Sequence, residues 1–173
     1  MNEFKYLAGY SEKVTSQVGQ LIIENKLGSV LLKKYPSAHA IRTDKALYDF
    51  AVAVKNEFIR NSQPLSKVVY DCKINVIHQA LGMHSFISRV QGAKLKSKHE
   101  IRIASVFKNA PLEFLKMIVV HELAHLKEKD HNKSFYKLCE YMEPAYHQLE
   151  FDLRLYLTNV DLAGSLYQEN NYA

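Results

Sequence analysis

The stretch from Pro111 to Lys129, PLEFLKMIVVHELAHLKEK, constrains this chain more than any other. Ile118, Val119 and Val120 lead directly into His121-Glu122-Leu123-Ala124-His125. A helix this apolar has no solvent face and needs protein packed around it. Such a helix has little reason to carry two imidazoles and a carboxylate, because each is costly to bury without a partner. At i, i+4 spacing the two imidazoles share one helix face, about one turn apart, and can chelate one ion. Glu122 lies beside the first imidazole, where it can take a proton from water at the metal without being a ligand. A chain of this composition carries the His-Glu-x-x-His pattern by chance roughly once in forty.

Catalytic zinc ordinarily takes three protein ligands and keeps one position open, so a third donor is required. His131 follows His121 by ten residues. On a continuous helix that spacing is about 15 Å of rise, too far to share an ion. The chain therefore has to leave the helix soon after Leu126 and turn back. Lys127 to Asn132 is wholly polar, and Asp and Asn tolerate turn geometry. A fresh helical pattern (Phe135, Leu138, Cys139, Met142) begins immediately afterwards. Glu140 and Glu143 on that next helix are the rival donors.

The remaining sequence sets the frame for this element. With 173 residues, 47% hydrophobic and 24% charged, the chain can bury a core without disulfide or metal staples. It is expected to form one domain, 1–173, with a helical N-terminal layer over 1–64 and a catalytic core over 65–173. Cys72 and Cys139 fit no metal-knuckle spacing and are expected to be buried free thiols. The mixed polar start MNEFKYLAGYSEK is not expected to act as a signal peptide, and no apolar run is long enough to span a membrane. A cytoplasmic location is expected. The N-terminal layer reads as three helices: one capped by Ser11, one over Gly28 to Lys34 following a break at Gly28, and one capped by Thr43 or Asp44. Lys67 to Tyr70 reads as a short strand, and 74–82 fits either a helix or strand alternation. HSFISRV (84–90) and EIRIASVF (100–107) read as two strands joined by a polar turn, which predicts a small antiparallel sheet. The fold class expected is α+β.

The segment HELAHLKEKDHNKSF resembles the active-site signature of the YgjP-like metallopeptidases, a zincin-like family related in motif layout to the SprT-like and WLM families. The wider pattern places a polar residue or two and then an aromatic after the third histidine, and Phe135 stands there. SRVQG (88–92), EIRIASVF and YMEPAYHQLEFDLRLYL (141–157) fall in the family's order, and YLAGY and TDKALY extend the likeness over nearly the whole chain. Two positions depart from related patterns. Val90-Gln91-Gly92 replaces a Trp-Gly-Ser segment of the broader family, and Glu128 stands where metzincins place a turn glycine. The resemblance implies a zincin-like fold, one Zn2+ per chain, His121, His125 and His131 as its ligands, and Glu122 as general base.

Three functions remain open. The first is a zinc-dependent hydrolase acting on a peptide or protein. The second is a metal-dependent nucleoside triphosphate (UTP-type) pyrophosphohydrolase, an activity attached to the family's bacterial subgroup. The third is a binding module with structural zinc, which an open position and a placed glutamate disfavour. Neither a membrane nor a nucleic acid is expected as a partner: the net charge of +5 permits an anionic partner without demanding one, and no aromatic platform is interleaved with the basic residues of 89–102. Arg89, Lys94, Lys96, Lys98 and Arg102 face a single Glu100 in the 89–102 segment. That excess serves either an anionic substrate or the solubility of a turn. Tyr141, Tyr146 and His147 follow the motif, where zincins often keep an oxyanion donor, although packing alone would also account for them. Glu150, Asp152 and Arg154 read as surface ion pairs.

Overall fold

A computed structural model describes residues 4–74 and 99–167. Among them, six helices and two strands occur, with 3-10 turns at Lys5–Leu7 and Ser105–Asn109. The helices are α1 (Glu12–Ile23), α2 (Leu27–Lys34), α3 (Asp44–Phe58), α4 (Leu112–Ala124), α5 (Lys133–Met142) and α6 (Tyr146–Ala163). The strands are β1 (Leu65–Asp71) and β2 (His99–Ala104). The α+β class expected from the sequence is the one observed. The expectations for 75–98, including the strand over 84–90 and the basic turn after it, lie outside the described residues.

The two caps read from the N-terminal sequence are present. Ser11 Oγ accepts from the Val14 amide at 3.4 Å, and Thr43 Oγ1 accepts from Ala46 at 3.2 Å. The break between α1 and α2 falls earlier than expected, at Asn25, whose φ of 52° only a few residue types tolerate. Gly28 lies inside α2 instead. A Cβ there would come within 3.1 Å of Asn159 Oδ1 and a Leu166 methyl, so the glycine permits close approach of α2 to α6.

Among the described residues the sheet consists of β1 and β2 paired in parallel, a pairing not read from the sequence, with Val68 opposite Ile101 and Tyr70 opposite Ile103. Alternation reveals which residues a strand buries but not which strands it pairs with; the antiparallel pairing expected between 84–90 and 100–107 involves residues outside those described. The strand read over 100–107 ends at Ala104, because the chain turns there to bury Phe107. Arg102 bridges Asp71 at 2.8 Å and Glu100 at 2.7 Å beside the ladder.

Helix α4 is the axis of the core. Phe114, Leu115, residues 117–121, Leu123 and Ala124 are all buried on it. It is packed by α3, α5, α6 and β2. Pro111 stands at its N-cap. Asp152 of α6 corrects another expectation. It is buried, not on the surface, and accepts from Lys34 at 2.5 Å, Tyr35 at 2.6 Å and Gln148 at 3.0 Å. Of the two free thiols Cys139 is buried as expected and Cys72 is exposed.

The segment between α2 and α3 is fastened to the approach to α4 by His39. Its amide donates to Ala110 O at 3.1 Å, and its ring lies 2.7 Å from Phe107 O through Nε2. Nδ1 accepts from the Ile41 amide at 3.0 Å, so the neutral ring with its proton on Nε2 satisfies every partner. Burial holds the His39 pKa below its ordinary 6.5. As pH drops below that value, the unfolded chain takes a proton the folded chain resists, and stability falls. Denaturant unfolding followed between pH 7.5 and about 5 should show this loss, and His39→Gln should flatten it.

Candidate metal centre

His121 sits in the last turn of α4 and His125 at its C-cap. The helix ends at Ala124 because the chain tightens, with Leu126, Lys127 and Glu128 amides bonding back to Leu123 and Ala124. This is the break the ten-residue spacing required. Asn132 then caps α5, its Oδ1 accepting from the Phe135 amide at 2.9 Å, and its Nδ2 ties back to Glu128 at 3.2 Å. The reversal returns His131 to the other two imidazoles. The donor atoms of His121, His125 and His131 lie within 4.8 Å of one another. Nε2 of His131 is 3.1 Å from that of His125 and 3.3 Å from that of His121.

The surroundings orient each ring. His125 Nδ1 lies 2.8 Å from the carbonyl oxygen of Glu128, which can only accept, so Nδ1 carries the proton and Nε2 presents a lone pair inward. His121 Nδ1 lies 2.6 Å from the phenol oxygen of Tyr146. Convergent nitrogen lone pairs repel unless a cation or proton sits among them. Tetrahedral zinc with bonds of about 2.0–2.1 Å sets its donors about 3.3 Å apart, close to the spacing observed. The side chains therefore fit a divalent ion. Phe135, fully buried, forms an apolar wall with its ring centroid 5.0, 4.4 and 4.7 Å from those of His121, His125 and His131. Glu122 is half-buried beside His121 at the same end of α4.

The rival donors point elsewhere. Glu143 pairs with Lys116 at 2.8 Å and accepts from the Ala145 amide at 3.2 Å. Glu140 is exposed, 3.5 Å from His147, which also lies 3.7 Å from Glu150. His147 is thus a surface residue, and Tyr141, 63% exposed, edges onto Phe58. Of the three residues following the motif only Tyr146 reaches the cluster. Its contact with Nδ1 of His121, rather than an oxyanion role, is what the sequence left unread. The available signal was the apolar face of α6, since Tyr146, Leu149, Leu153 and Tyr156 are buried at helical spacing.

A family model described as YgjP-like, metallopeptidase domain, matches residues 81–156. Along 162 residues the chain is 60% identical to the UTP pyrophosphatase of Escherichia coli (strain K12), covering 94% of this chain and 97% of that protein. The chain belongs to the YgjP-like family. Membership makes it a metal-dependent hydrolase, and the three-histidine cluster lies within the matched segment. No solved structure matches. Among the described residues no helix is long and apolar enough to cross a membrane.

Proposed function

We propose that this protein is a zinc-dependent nucleoside triphosphate pyrophosphohydrolase acting on UTP or a close analogue. The observation that carries the reading is 60% identity, over nearly the full length of both chains, with a protein named UTP pyrophosphatase. Of the two hydrolase readings open at the level of sequence, this favours the nucleotide over the peptide. The peptidase reading is supported by the family model's description alone and is kept as the second.

In this reading His121, His125 and His131 hold one zinc ion through their Nε2 atoms, and three ligands leave a position open for chemistry. When bound, zinc supplies Lewis acidity, making water more acidic and drawing charge from the attacked phosphoryl oxygen. Glu122 takes the proton from the attacking water as general base and can return it to the departing group. Attack of water at the α-phosphorus breaks the α–β anhydride bond with pyrophosphate as the leaving group, so a triphosphate yields a monophosphate and pyrophosphate. Phe135 keeps bulk water from the inner side of the imidazoles, which strengthens the electrostatics between ligands and ion. The positive charges of Arg89, Lys94, Lys96 and Lys98 are assigned to the phosphates, because a triphosphate brings about four negative charges to the site, whereas Arg102 is already paired with Asp71 and Glu100.

Three outcomes are expected. Purified protein should bind about one zinc per chain, with His121→Ala, His125→Ala or His131→Ala each weakening it and Glu140→Ala or Glu143→Ala leaving it intact. Metal analysis and chelator competition read this directly. Loss of zinc in Glu143→Ala with retention in His131→Ala would reverse the third-ligand assignment. Glu122→Gln should keep the metal and lose about 10²- to 10⁴-fold in UTP turnover. Neutralising Lys94, Lys96 and Lys98 together should raise KM for UTP and flatten its salt dependence. A nucleotide panel and a peptide library run in parallel decide between the readings: cleavage of peptides alone, dependent on Glu122, would establish the second.

A further inference from the structure

The two helix-borne imidazoles solve the same problem in different ways. A neutral imidazole offers one lone pair and one N–H, so a ring that ligates through Nε2 must place the Nδ1 proton on an acceptor. His125 stands at the C-cap, where the turning chain brings the Glu128 carbonyl within 2.8 Å of Nδ1. His121 lies inside α4, where nearby carbonyls are committed to helix hydrogen bonds. A side chain has to supply its acceptor.

Tyr146 lies where that side chain is needed. Its phenol oxygen is 2.6 Å from His121 Nδ1, shorter than the usual N–H···O distance of about 2.9 Å. The two ring planes are within 14° of parallel with centroids 6.3 Å apart, the disposition of an in-plane contact made edge to edge. Tyr146 is 1% exposed, so water does not compete for this contact. The phenol also lies beside Cys139, which is fully buried on α5. We propose that Tyr146 is a positioning residue for the metal centre: its oxygen accepts the Nδ1 proton of His121, which holds Nε2 on the ion, while its own O–H is held by Cys139 Sγ. The proposal rests on the reading of His121 as a metal ligand.

This arrangement explains two otherwise unassigned polar groups in an apolar core. Burial drives the Cys139 thiol up to about 12, so it stays protonated and inert and serves only as the phenol's weak acceptor. The path from the metal face therefore runs across three elements, from α4 through the first residue of α6 to α5.

The test uses the full chain as wild type, Tyr146→Phe, Cys139→Ala and His121→Ala. Tyr146→Phe retains the ring and removes only the oxygen. It is expected to raise the zinc dissociation constant roughly 10- to 100-fold, with Cys139→Ala weakening it less. The melting temperature of the metal-free protein distinguishes this from a packing defect, and the visible spectrum of the cobalt-substituted protein should shift with the changed His121 geometry. Unchanged zinc affinity and cobalt spectrum in Tyr146→Phe, with affinity lost in His121→Ala, overturns the proposal alone. Unchanged affinity in His121→Ala overturns the ligand reading beneath it. If Tyr146→Phe does not fold, nitrogen-15 spectra of zinc-loaded wild type decide instead. A slowly exchanging Nδ1–H on His121 supports the proposal, and a proton on Nε2 overturns it.

Discussion

Three imidazole nitrogens facing one another at 3.1 and 3.3 Å are a repulsive arrangement unless something positive lies among them, and the surrounding structure is organised to hold them there. Two stand on a helix buried along nearly its whole length, which removes their freedom to swing apart. The third is returned by a reversal held by backbone bonds and by the Asn132 cap. Phe135 fills the inner side of all three. Each of these features restricts motion away from a shared point, so the entropy of ordering the donors is spent by folding rather than by binding.

The helix that carries the centre depends in turn on its neighbours. Its apolar surface is covered by α3, α5, α6 and β2, and the polar groups near its start are satisfied through His39. Asp152 binds α2 to α6 through a lysine and a tyrosine, which ties the N-terminal helices to the helix beginning at Tyr146. Buried charge of this kind adds little net stability over an apolar substitute, but it penalises any arrangement that leaves the carboxylate unpaired.

Much of the centre was legible in the sequence because its logic is local. The i, i+4 pair, the length argument against a continuous helix to His131 and the polar turn all involve neighbouring residues, and each has its counterpart in the structure. The caps at Ser11 and Thr43 were legible for the same reason. What escaped depends on partners distant along the chain. The parallel pairing of β1 with β2 could not be read from alternation, which is the same whichever strand lies alongside. Asp152 looks like any charged residue in a helical pattern until Lys34 and Tyr35 are known to face it. The contact between Tyr146 and His121 spans 25 positions and was hidden among three plausible polar residues.

The parallel ladder bears on how the chain reaches this state. Its first register pair joins Leu65 to His99, 34 positions apart, so the two ends of that stretch must be brought together before any ladder bond rewards it. The three histidines occupy only the span from 121 to 131, and the cap that turns the chain between them lies within that span. Closing the three-histidine cluster is the entropically cheaper event, and closing the sheet the dearer one. The bonds of Asp152 to Lys34 and Tyr35 join residues 118 and 117 positions apart, so the cost of closure rises again from the ladder to the contacts that fasten the N-terminal helices.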